Sequence, residues 1–170
     1  MKKNTAYVLV FALMGAVLIS GCMGSSQNEE KISVTGVVAK AYNFGGTAES
    51  TYYDVDVRVL NEGSSPITID KVVGIFAASG DTNFATMVTP GETYQVLEPD
   101  GVMHYPFMTM GRTYLLQKAV REYGGNAAFA AVIYSGEKKL GAYGAPLPPI
   151  ENLTTAATPL EFRKLGQTNS

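Results

Sequence analysis

One cysteine and one histidine are the scarcest reactive side chains in these 170 residues, and their positions limit the chemistry available. His104 lies in the run Met103-His104-Tyr105-Pro106-Phe107-Met108-Thr109-Met110. On a strand, successive side chains alternate between faces, so His104, Pro106, Met108 and Met110 would share one face. Imidazole and thioether together suit Cu(I), which prefers soft ligands. The competing reading places Met108 and Met110 in core gaps with His104 at the sheet margin, and it is preferred because Met is an ordinary core residue. With a single His, zinc sites built on several histidines are excluded, as is Cys–His catalysis once Cys22 is committed elsewhere. No Gly-x-Ser-x-Gly elbow, phosphate loop or dinucleotide fingerprint occurs. A hydrolase built on dispersed carboxylates therefore ranks third among the functional readings, and no cofactor is implied. Ten tyrosines, with Tyr42, Phe44, Tyr52 and Tyr53 close together, invite a sugar-stacking platform. Tyrosine at strand margins explains them more simply, since Trp is absent. Asn152-Leu153-Thr154 is a glycosylation sequon, a short pattern that also arises by chance.

Cys22 follows Lys2-Lys3 and an uncharged apolar stretch at residues 7–19. That stretch is shorter than the roughly 20 apolar residues of a comfortable spanning helix. It fits the hydrophobic region of a secretory signal peptide. The segment Leu18-Ile19-Ser20-Gly21-Cys22 resembles the lipobox of prokaryotic lipoproteins, where cleavage falls just before the cysteine. The resemblance implies a mature chain that begins with a lipid-modified Cys22. That chain would be held on the cell membrane and face outside the cytoplasm. An uncleaved N-terminal anchor helix is the alternative. Residues 22–30 are polar and Gly/Ser-rich, a tether of at most about 30 Å when extended. No acidic residue directly follows Cys22, which by resemblance to bacterial sorting does not favour retention at an inner membrane.

Loss of residues 1–21 would take the formal charge from −2 to about −4, because Lys2 and Lys3 leave while every acidic residue stays. A mildly acidic domain lacks the cationic surplus that nucleic acid demands. The expected partners are therefore the membrane, through the lipid, and an envelope protein or surface ligand.

The elements that must position these residues follow from period-two alternation. Ile32, Val34, Gly36 and Val38 form one face; Tyr53, Val55, Val57 and Val59 form another, opposed by Asp54, Asp56 and Arg58. Further strands are expected at 67–76, 93–97, 102–110 and 127–134, and at 140–143 as a hairpin with the preceding strand across 136–139. Residues 113–123 carry Leu115, Leu116, Ala119, Val120 and Tyr123 at helical spacing and end at Gly124-Gly125. The expected class is mainly β: an antiparallel sandwich with one short helix, preceded by a signal peptide at 1–21 and the tether at 22–30. The sandwich would occupy 31–143, and 144–170 would form a Pro-rich strap with an edge strand at 160–164. The run from Val55 to Gly63 and on through Ile67-Thr68-Ile69 resembles the opening hairpin of immunoglobulin-like domains in prokaryotic envelope proteins, which implies a sandwich without catalytic residues.

Overall fold

The computed structural model describes residues 31–42, 51–78, 85–88 and 94–166, so Cys22 and the segments expected as signal peptide (1–21) and tether (22–30) lie outside the described residues. Among the described residues, eleven strands and one α-helix, α1 (Thr113–Tyr123), follow the order β1 (Ile32–Tyr42), β2 (Thr51–Asn61), β3 (Ile67–Ile69), β4 (Lys71–Ala78), β5 (Ala85–Val88), β6 (Gln95–Leu97), β7 (Val102–Met108), α1, β8 (Ala127–Ser135), β9 (Lys138–Pro146), β10 (Thr158–Leu160) and β11 (Arg163–Lys164). The sheets are antiparallel. One has the order β10-β1-β2-β7, a second β11-β9-β8-β4-β5, and β3 pairs with β6 in a small ribbon. Placing the first, second and seventh strands in one sheet, and the ninth, eighth and fourth in the other, reproduces the A-B-E and G-F-C order of immunoglobulin-type sandwiches.

The alternation read from the sequence holds in β1 and β2. Val38, Val55, Val57 and Val59 are fully buried, whereas Arg58 is exposed. The two large sheets meet through aromatic rings. Phe129 sits 4.8 Å from Phe76 and 5.3 Å from Phe107, centroid to centroid, and 6.1 Å from Phe162 in an edge-on contact. Offset and edge-on geometries suit ring quadrupoles. Gly74 lets the sheets approach this closely, because a Cβ there would run into the Phe107 ring.

Two expected strands prove to be four. Residues 67–76 do not form one strand: β3 pairs with β6, and after Asp70 the chain enters the five-stranded sheet as β4. The hairpin expected between residues 55 and 69 is absent, since the neighbours of β2 are β1 and β7. Residues 160–164 likewise divide, with β10 pairing β1 in one sheet and β11 pairing β9 in the other. Alternation reports which way side chains point, but it does not name the partner strand. The hairpin of β8 and β9 forms with a two-residue turn at Gly136-Glu137, where Gly136 has φ 56°, and β9 runs on to Pro146, into the segment expected as strap.

At the end of β2 stands Asn61, wholly buried. Its Nδ2 donates to the carbonyls of Ser65 (2.8 Å) and Leu97 (2.9 Å), and its Oδ1 accepts from the Gly63 amide at 2.9 Å. Its own amide donates to Gly101 O at 3.1 Å and its carbonyl accepts from Asp100 N–H at 2.9 Å. This is also the pole at which β1 begins, because Ile32 is paired with Asn61. Val57→Asp should cost about 3–5 kcal/mol in urea unfolding, since it leaves an unpaired charge between the sheets. Arg58→Ala should stay within about 0.5 kcal/mol, and a reversal of these severities would mean the inner and outer faces are exchanged.

Candidate functional site

β7 presents His104, Pro106 and Met108 on the outer face of the four-stranded sheet, with Met110 just beyond, while Tyr105, Phe107 and Thr109 point inward. The core reading of the methionines is thereby overturned: Met108 is 38% and Met110 53% exposed. The larger aromatics of opposite parity fill the interior instead. The shared face does not gather these residues into one site. A rise of about 3.3 Å per residue sets the Cα atoms of His104 and Met108 roughly 13 Å apart. The His104 ring faces a neighbour from β2, with Nδ1 2.9 Å from Asp56 Oδ2, and Arg58 Nε approaches the same oxygen at 3.4 Å. Opposite Met108 stands Asp54, whose carboxyl is pushed above its usual range by partial burial and then by the charge of Asp56. The cluster is solvent-exposed, so the Arg58–Asp56 ion pair is screened. Among the described residues no three His, Cys, Asp or Glu side chains gather closely enough to hold a metal ion.

The tyrosines disperse. Tyr42 is exposed, Tyr52 half-buried and Tyr53 buried, and Phe44 lies outside the described residues. Asn152 is exposed in a 3₁₀ turn at Ile150–Asn152, between buried Ile150 and Leu153.

A concave site lies at the other pole from Asn61, where the helix and the Pro-rich segment meet. Thr109 and Thr113 are both buried and share a 2.7 Å contact between hydroxyls. The Tyr53 amide donates to Thr109 Oγ1 at 3.0 Å, and the Thr109 amide donates to Tyr53 O at 3.1 Å. These bonds seat the first turn of α1 on β2. Leu116 and Ala119 then enter the core, whereas Leu115, expected on the buried side, is 36% exposed. The helix stops at Gly124 and Gly125, with φ 69° and 117°, a region glycine occupies without steric cost. Across from it, the Leu147 amide donates to Ala127 O at 2.9 Å, the Tyr53 hydroxyl donates to Pro148 O at 3.0 Å, and the Lys40 amide donates to Thr154 O at 2.8 Å.

Between helix and strap opens a cleft of about 440 Å³. Its floor includes Leu116, Ala127, Leu147 and Ile150, all buried, and its rim carries Gln117, Arg121, Asn126 and Glu151. That volume lies within the range of small-molecule sites. At its base the Tyr53 phenol is held well above its ordinary pKa, first by burial and then by the charge of Glu151. Sequence reasoning missed this site. Arg121 read only as a last-turn helix residue and Glu151 belonged to an extended strap, so nothing local announced that they would line one cleft.

No family model and no curated protein sequence matches the chain. Solved structures with some likeness include a structural-genomics target (7% identity, TM-score 0.41, covering 84% of this chain and 92% of that one). Others are a putative ApaA protein from Bordetella pertussis (13%, 0.38, covering 82% and 96%) and a protein from Archaeoglobus fulgidus (10%, 0.35, covering 82% and 97%). Likeness at this level carries no argument about function.

The buried phenols give the fold an alkaline limit. Burial also pushes Tyr105 up to about 12, while an unfolded chain releases phenolic protons near 10. Both shifts are upward, so the stability they confer is complete below about pH 10 and is lost as pH rises towards 12. The urea midpoint should fall between pH 9 and pH 11, and by less in Tyr105→Phe; an equal fall in that variant would remove Tyr105 as a cause.

Proposed function

We propose that this chain is a lipid-anchored module on the outer side of a cell membrane, binding a ligand or an envelope partner without catalysing a reaction. The observation that carries the reading is the leader: Lys2-Lys3, an uncharged apolar stretch at 7–19, small residues Ser20-Gly21 and the chain's one cysteine at 22. Lipidation accounts for a lone cysteine in an exported protein, which has no second thiol to pair with. The cleft between α1 and the strap supplies room for a ligand. Mass spectrometry of the natively expressed protein should find an N-terminal Cys22 bearing lipid. Cys22→Ser should leave an unprocessed precursor. A mature N-terminus elsewhere, or an unlipidated chain that retains its leader, refutes the anchor.

A second reading, a copper-carrying envelope lipoprotein using His104, Met108 and Met110, draws support from the exposure of all three on one face. Their spacing argues against it. Titration with Cu(I) against a chromogenic chelator should show no stoichiometric site. A tight 1:1 complex abolished by His104→Ala and weakened by Met108→Leu, which keeps apolar volume while removing sulfur, would reverse the order of the two readings.

A further inference from the structure

Arg121 and Glu151 line the same cleft from its two walls, Arg121 on the last turn of α1 and Glu151 in the 3₁₀ turn of the strap. Ion pairs elsewhere on the surface include Lys118 with Glu122 and Arg58 with Asp56. Among the described residues, neither the Arg121 nor the Glu151 side chain makes an ion pair or hydrogen bond. The cleft thus has a cation on one wall and an anion on the other, over an apolar floor that includes Leu116, Leu147 and Ile150.

We infer that the cleft binds a small zwitterion with an apolar body, the chemistry of a dipeptide of apolar residues. A guanidinium offers a planar fork of donors that matches a carboxylate, and the Glu151 carboxylate accepts from an ammonium group. Apolar side chains of the ligand would displace water from the floor, at about 25 cal/mol for each Å² buried. A ligand with one charge would leave the other rim residue without a partner, so selectivity follows from needing both ends. This inference rests on the binding-module reading and specifies its ligand.

The test uses the full chain with its native N-terminus, in detergent, titrated calorimetrically with Leu-Leu, N-acetyl-Leu-Leu and Leu-Leu amide. Leu-Leu should bind saturably, one per chain, and each blocked peptide should bind at least about tenfold more weakly. Arg121→Gln should erase the penalty for blocking the carboxylate and leave the penalty for blocking the amine, and Glu151→Gln should do the converse. Both residues are exposed, so melting temperatures should be unchanged. The blocked-peptide comparison in the unsubstituted protein stands even if a variant misfolds. Binding should also weaken as salt is raised. Absence of saturable heat up to about 10 mM, equal affinity for free and blocked peptides, or indifference to both substitutions overturns the inference. A failed titration on protein with lipidated Cys22 removes the ligand class alone, whereas dipeptide binding by an unlipidated chain removes the anchor alone.

Discussion

The architecture depends on how the chain leaves the first sheet, and one buried amide governs that exit. Asn61 ends β2 with every polar group of its side chain engaged, to Gly63, Ser65 and Leu97. A buried polar group left unpaired costs about 1–3 kcal/mol, so the arrangement is demanding as well as stabilising. It holds the turn after β2, the end of β6 and the approach to β7 at one point. From there the chain can cross to β4 and begin the opposite sheet without leaving β2 unanchored. An aspartate here would lose both donated bonds, and a leucine would orphan two carbonyls and an amide. The Thr109–Thr113–Tyr53 bonds play a comparable part at the other pole, where α1 is pinned before the chain crosses back to β8.

Between these two ties the sandwich is held by close packing. Phe129 touches rings from both sheets, and Gly74 gives up a side chain so that Phe107 can lie against its backbone. The absence of a side chain at Gly74 therefore sets the local distance between layers. Leu160 and Phe162 extend the same core to the C-terminal segment, which is why a short stretch of chain can add an edge strand to each sheet in turn.

Much of this was legible in the residues. The parity of β1, β2 and β7 follows from alternation, and the helix from its spacing and the paired glycines. Partnership was not legible. Within residues 67–76 the polar pair Asp70-Lys71 interrupts the alternation, and the buried parity changes from Ile67 and Ile69 to Val72 and Phe76, but alternation alone does not tell a change of sheet from a bulge within one strand. For Met108 and Met110 the shared face was readable, but its direction depended on Tyr105 and Phe107 having the stronger claim on the interior. The cleft was invisible because its walls come from β2, α1 and the strap, whose meeting is set by hydrogen bonds over long stretches of chain, such as Tyr53 to Pro148.

The direction of β1 has a bearing on orientation. It starts at Ile32 beside Asn61 and runs eleven residues towards the opposite pole, a distance of about 33 Å. Under the proposed anchorage at Cys22, the domain would be moored by the pole that lacks the cleft. The helix and strap that frame the cleft would then sit about the length of β1 away from the point where the tether enters the domain.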